Sequence, residues 1–204
     1  MPEQIEHFDQ QVFLFLNSLH CPFLDPVMHA LSGKLIWAPL YAAILTWIAI
    51  KEKKQFYFFL IFILLSVLLA DRGSVLIKNL VLRPRPCHEP ALEGLVHTIN
   101  GECGGMYGFV SSHAANSFNV AFISLLMIRK TWYTVSIVFW ALLVGYTRIY
   151  LGVHYSGDVL CGSIYGALVG WFCYSLYIYT EKWIKEYKSK DLTTKDTKVY
   201  TKDH

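Results

Sequence analysis

His154 and Asp158 stand four residues apart in TRIYLGVHYSGDV, residues 147–159, a stretch that also carries Arg148. If a helix begins near Tyr155, that spacing projects the imidazole and the carboxylate to the same side. A carboxylate that accepts the Nδ1–H of a histidine fixes its tautomer and leaves Nε2 free to attack or to take a proton. A second imidazole, His113, lies in VSSHAANSF, residues 110–118, so the work of nucleophile and general acid/base can be divided between two histidines. Ser111 and Ser112 precede it at a helix start, where a hydroxyl and free backbone N–H groups attract anions. Lys78 and Arg85, in KNLVLRPRP, join Arg148 as fixed positive charge, and Asp158 is the acidic exception within these motifs. Such a donor inventory suits a group carrying more than one negative charge, with phosphate the obvious candidate.

The elements that must position these residues are membrane spans. The chain has 204 residues, 54% hydrophobic and 16% aromatic, and its mean hydropathy of +0.38 is too high for an ordinary soluble domain. Apolar runs cover residues 26–50, 55–70, 112–128, 131–144 and 159–180, each close to the length a bilayer needs once its apolar flanks are added. HFDQQVFLFLNSLH, near the start, alternates polar and apolar residues in a way that suits a helix lying in the interface. The expected fold is therefore all-α, a polytopic transmembrane bundle of five to six spans. Residues 1–180 form a single membrane-embedded unit, with residues 1–24 as the interfacial helical segment. Residues 181–204 form a polar cytoplasmic tail, solvated and frayed, with no catalytic role. The opening residues lack a basic region followed by an apolar core, so no cleavable signal peptide is expected.

Lys51, Lys53 and Lys54 lie between the first two spans, Arg129 and Lys130 between the third and fourth, and Lys182, Lys185, Lys188 and Lys190 after the fifth. Alternating spans put all three clusters on one side, which the positive-inside rule makes cytoplasmic. The loop at 84–110 and the turn at 148–156 then face outward, giving an extracytoplasmic active site. Lys78 sits in the last turns of the second span, and the two prolines after it end that helix. Ser111, Ser112 and His113 open the third span, Arg148 closes the fourth and His154 opens the fifth. An ionisable residue in a span costs up to about 2.5–3.5 kcal/mol on insertion scales, so a cluster of them at span ends is a functional signal.

Other residues have ordinary explanations. Arg83 reads as a basic side chain snorkelling from a helix end to the headgroups. Asp71 and Arg72 read as a bundle pair outside the site. Gly162, Gly166 and Gly170 form a small-residue face for close helix packing. Cys161 and Cys173 read as small apolar packing residues, while Cys87 and Cys103, on the outer side, are placed where a disulfide is chemically allowed.

Together the motifs resemble the three signatures of the type-2 phosphatidic acid phosphatase superfamily. Lys78, six residues, Arg85-Pro86 matches the first; Val110-Ser111-Ser112-His113 is a degenerate form of the second, Pro-Ser-Gly-His; Thr147-Arg148, five residues, His154, three residues, Asp158 matches the third. The resemblance implies that His154 attacks phosphorus to form a phosphohistidine, that Asp158 orients it, and that His113 protonates the leaving oxygen and later activates water. It implies that Lys78, Arg85, Ser111, Ser112 and Arg148 hold the phosphoryl oxygens. Serine at 112 replaces the family glycine and changes how the backbone approaches the phosphate.

Neither metal nor other cofactor is implied, because fixed cations can stabilise the charge. The expected partners are a lipid phosphate substrate and membrane lipids, with no nucleic acid and no obligatory protein partner. The expected location is the bacterial inner membrane, the active site facing the periplasm or outside. Lipid A phosphate leads the candidate substrates, with undecaprenyl diphosphate and phosphatidylglycerol phosphate as alternatives. Transfer to another lipid, or transport without cleavage, stand further off.

Overall fold

The computed structural model describes residues 3–200. Its α-helices are α1 (Glu3–Ser18), α2 (Asp25–Ser32), α3 (Ala38–Glu52), α4 (Phe56–Val81), α5 (Ser112–Ile128), α6 (Thr131–Tyr150) and α7 (Ser156–Tyr200). No strand forms among the described residues, and an isolated bridge between Pro84 and Tyr107 is the sheet-like pairing. Four segments are long and apolar enough to cross a membrane: Leu35–Glu52, Phe56–Val81, Thr131–Tyr150 and Ser156–Tyr187.

The shorter α5 runs through the middle of the bundle, packed on α4, α6 and α7. Its Ala114, Ala115 and Ala121 are fully buried, as small residues must be where helices approach closely. The facing side of α7 is the glycine stripe. A Cβ built on Gly162 would lie 2.6 Å from the Ser111 carbonyl oxygen, and one on Gly170 would lie 2.8 Å from that of Asn119. Any side chain at those positions would push α7 off α5, and with it the residues each helix carries to the site.

The main apolar core lies towards the end of the bundle away from the site and includes Ile48, Phe59, Ile123, Ile137, Trp140 and Tyr177. At that end basic residues at the helix ends bond to neighbouring helices. The Lys51 ammonium donates to the Met127 carbonyl (3.1 Å) and the Arg129 guanidinium to the Tyr174 hydroxyl (2.7 Å). A smaller core of Phe13, Leu92, Ile149 and Tyr155 underlies the site end. There Asn17 ties α1 to α6: its amide donates to the carbonyls of Ile149 (3.0 Å) and Tyr150 (2.9 Å). Those carbonyls belong to the last turn of α6, where the helix itself supplies no i+4 donor.

Two expectations are corrected. The first apolar run, 26–50, is not one helix. Gly33, in extended backbone with ψ 141°, stops α2, and α3 restarts with Pro39 in its first turn, a position where a missing N–H costs nothing. The break lets α2 lie against α6 beside the site. The tail, expected to fray, continues α7 to Tyr200. Glu181 and Lys185, paired at 2.6 Å, give the i,i+4 support that a solvated helix uses. Residues 201–204 lie outside the described residues, as do the side chains of Lys54, Lys188 and Lys190.

Candidate active site

All the residues singled out as candidates collect at one end of the bundle, each placed by an element boundary. Lys78 is in the last turn of α4. Leu82, in the left-handed region at φ 55°, ends that helix and sends Arg83 and Arg85 into the loop. Ser111 is the N-cap of α5, its hydroxyl accepting from the Ala114 N–H, with Ser112 and His113 in the first turn. Its own N–H donates to the Asp158 carbonyl at 3.0 Å, which fastens the start of α5 to the start of α7. Arg148 is in the last turn of α6. Its carbonyl accepts the His154 N–H at 3.3 Å, closing the tight turn that presents His154 to Asp158.

The carboxylate is fully buried and His154 is 1% exposed. Nδ1 of His154 lies 3.5 Å from Oδ2 of Asp158, too long for a formed hydrogen bond; such contacts commonly tighten when the substrate fills the site. Asp158 Oδ2 accepts the Tyr155 N–H at 3.1 Å, and Oδ1 accepts from Arg83 Nη1 at 2.8 Å. Burial, followed by the charges of Arg85, Arg148 and Lys78, pushes the His154 imidazole well below the usual histidine range. It is therefore neutral near pH 7, the state in which it can act as a nucleophile.

Arg83, which the sequence suggests snorkels to the headgroups, is buried instead, and this is the main correction. It is 8% exposed, its guanidinium sits 4.0 Å from the Tyr155 ring centroid, and it bridges Asp158 to Asp9 of α1. Gly108 is a second residue that sequence reasoning missed. A Cβ there would come within 2.8 Å of Asp158 Oδ2 and 3.5 Å of His154 Nδ1, so the backbone at 108 closes over the pair. The sequence signals were weak: a basic residue beside a proline, and an aspartate in phase with Phe13 and Asn17 on α1.

The remaining cations differ from Arg83. Lys78 Nζ donates to the Ser112 hydroxyl at 3.1 Å, which also accepts from Ser74 at 2.8 Å. Arg85 is braced by the carbonyls of Tyr107 (3.2 Å) and Cys103 (3.1 Å). Arg148 meets the Ser32 hydroxyl on α2, and its Nε is buried without a partner. Among the described residues none of these three pairs with a carboxylate, so their charge is left for an anionic ligand. Burial pushes the Arg85 pKa down, with Asp158 opposing. The loop that carries Arg85 is closed by a Cys87–Cys103 disulfide with Cα atoms 6.0 Å apart.

Ser112 and His113 form one end of a groove of about 760 Å³ that runs down between α3, α4 and α5 past Tyr41, Ile48, Phe59 and Leu68. Arg85 and Arg148 line a smaller pocket of about 360 Å³, with His29 and Glu102, that shares Ser32 and Gly33 with the groove. Arg85 and Arg148 thus face the polar pocket, while Lys78 reaches the head of the groove through Ser112, where Lys34, Asp71 and Arg72 also line the walls. Among the described residues no group of three or more His, Cys, Asp or Glu gathers in the manner of metal ligands.

A family model described as the PAP2 superfamily matches residues 56–182. The chain belongs to that superfamily. Individual PAP2 relatives match over longer stretches. A lipid A 4'-phosphatase of Bacteroides thetaiotaomicron is 42% identical over 178 residues, covering 85% of this chain and 79% of that protein. A lipid A 4'-phosphatase of Porphyromonas gingivalis is 35% identical over 185 residues, covering 89% and 78%. The crystal structure of Aquifex aeolicus LpxE superposes with a TM-score of 0.64 at 25% identity, over 80% of this chain and 93% of that one. This chain is accordingly a multi-pass membrane phosphatase of the PAP2 superfamily. The segment matched by the family contains every residue from Lys78 to Asp158 and leaves out α1, which carries Asp9.

Proposed function

We propose that this protein removes a phosphate from lipid A at the outer face of the bacterial inner membrane, through a phosphohistidine on His154. The observation that carries the reading is the junction at Ser112 and His113, where Lys78, free of a carboxylate partner, reaches the head of a groove that continues past the apolar Tyr41, Ile48, Phe59 and Leu68. A soluble phosphate ester has no use for that groove, whereas the acyl chains of a membrane lipid do. Lipid A among lipid phosphates is supported by the two bacterial relatives of that specificity, each matched over most of its length.

In this reading Lys78, Arg85 and Arg148 bind the phosphoryl oxygens together with the amides at the start of α5, preorganised for the charge of the transition state. Ser111 and Ser112 act at one remove, the first capping that helix and the second holding Lys78. Neutral His154 attacks phosphorus through Nε2 while Asp158 takes up the charge developing on Nδ1–H. His113 gives its proton to the leaving sugar oxygen, then draws one from the water that opens the phosphohistidine. The fixed cations supply the charge stabilisation, with no metal or cofactor. The outward placement is supported by the disulfide beside Arg85, which needs an oxidising compartment, and by Lys51 and Arg129 at the opposite end of the bundle. The exposed apolar stripe of α1, with Ile5, Phe8 and Phe15, suits a helix lying in the interface within a single unit that ends near residue 180.

The test is phosphate release by the purified full-length protein from lipid A, undecaprenyl diphosphate and phosphatidylglycerol phosphate in mixed micelles. Lipid A is expected to be cleaved fastest, and His154→Ala to abolish release while leaving the protein inserted. Faster release from either other lipid would overturn the substrate assignment, and a His154→Ala variant with near wild-type turnover would overturn the nucleophile.

A further inference from the structure

Arg83 and Asp9 form a buried ion pair that the mechanism above does not use. Two charges held away from water are costly and persist where geometry and hydrogen bonds compensate them. Here the compensation is directed at the reacting pair. Nη1 of Arg83 reaches Oδ2 of Asp9 and Oδ1 of Asp158, each at 2.8 Å. The other oxygen of Asp9 accepts the Gly157 N–H at 2.7 Å, in the first turn of α7, one residue before Asp158. A Cβ on Gly157 would lie 2.7 Å from Asp9 Oδ2, so a larger residue there would displace the carboxylate. The Arg83 guanidinium is seated on the Tyr155 ring, which Phe13 of α1 meets edge-on with centroids 5.4 Å apart. Glu6 stands 3.8 Å from Arg83 Nε.

We propose that Arg83 and Asp9 are positioning residues that hold the Asp158 carboxylate in the orientation in which it faces His154, and that α1 is thereby part of the catalytic apparatus. Asp158 has two oxygens and one histidine to serve. Arg83 occupies Oδ1 and the Tyr155 N–H steadies Oδ2, so the carboxylate cannot rotate away from Nδ1. Arg83 also removes a competitor. Asp158 is within electrostatic reach of Lys78 and Arg85, and without a cation of its own it would draw one of them off the phosphate. Asp9 in turn keeps Arg83 in place and ties it to the helix start that bears Asp158. Asp9 lies outside the segment that the family match covers, and Arg83 lies between the signature positions Lys78 and Arg85.

The inference rests on the phosphatase reading, and the experiment separates the two. Phosphate release from lipid A is measured for wild type, Arg83→Gln, Arg83→Lys, Asp9→Asn, Asp158→Asn and the double variant Arg83→Gln/Asp158→Asn, all full length in detergent, with thermal melts in parallel. The expected result is a fall in kcat of about 10²-fold for Arg83→Gln with KM within about threefold, the signature of an interaction expressed in the transition state. Arg83→Lys is expected to regain at least about tenfold of that loss, and Asp9→Asn, which keeps its acceptor for Gly157, to lose about tenfold in kcat. Because Arg83 acts through Asp158, the Gln substitution is expected to cost less than about threefold in the Asp158→Asn background, a non-additivity that a remote packing role would not produce.

A folded Arg83→Gln with kcat within about threefold of wild type, or the same loss in both backgrounds, overturns the proposal. If Arg83→Gln does not fold, Arg83→Lys and Asp9→Asn decide, and wild-type kcat in both would sink it. A wild-type protein that releases no phosphate from any of the three lipids rejects the phosphatase reading itself, whereas an active wild type with indifferent variants rejects the brace alone.

Discussion

Arg83 and Arg85 lie two residues apart in one loop, yet they belong to opposite halves of the site. Arg83 is closed in between two aspartates; burial works against its charge, but Asp158 and Asp9 outweigh it and raise the pKa further. Arg85 is braced by carbonyl oxygens and meets no carboxylate at bonding distance, and burial lowers its pKa. In the proposed function the neutralised side holds parts in place, and the side with unspent positive charge binds the anion. The same contrast divides Asp158, fully enclosed, from Arg148, which lines the polar pocket beside Arg85.

If the division is real, the two arginines should fail in different ways. Arg83→Met leaves two buried carboxylates facing each other, and an expected loss of about 3–5 kcal/mol in stability should be seen in denaturant or thermal melts. Arg85→Met should instead lower kcat/KM by about 10²–10³-fold, while its melting temperature moves by no more than about 3 °C. Equal destabilisation of the two variants would erase the distinction.

A smaller effect concerns pH. Burial and the charges of Arg85, Arg148 and Lys78 lower the His154 pKa, so the imidazole loses its nucleophilic form only well below its ordinary value. The acid limb of kcat/KM is therefore expected on the acid side of where an ordinary histidine titrates. Removing one of those cations raises that pKa, so Lys78→Met should move the limb upward even as it lowers the plateau. An acid limb that stays put in Lys78→Met would show that the cation cluster does not act on His154. The smallest effect is expected at Ser112, whose hydroxyl contacts Lys78 and Ser74. Ser112→Gly should change kcat/KM by about threefold, the scale of one hydrogen bond; a change of about 10²-fold would make Ser112 a direct phosphate ligand.

Much of the bundle was legible because membrane spans impose strong patterns. Alternating spans carried Lys78, His113, Arg148 and His154 to one end, and the recurrence of glycine at 162, 166 and 170 announced a close helix approach, which the fold makes with α5. The break at Gly33 was not legible, because hydropathy runs through it unchanged while the backbone turns. Arg83 was missed for a related reason. A basic residue at a helix end has the same sequence signature whether it snorkels to headgroups or meets two aspartates from distant parts of the chain. Asp9 carried even less signal, since nothing local to α1 says that its polar positions face Arg83 and Gly157.

The sequence by itself determined the candidate residues and their common end of the molecule: two histidines, an aspartate at helical spacing, and cations at span ends. Periodicity and charge are properties of short segments, so they survive without coordinates. Tertiary structure decided which cations remain available to a ligand and which are consumed by carboxylates. Pairing of that kind joins residues 74 and 75 positions apart, and only folding specifies such contacts.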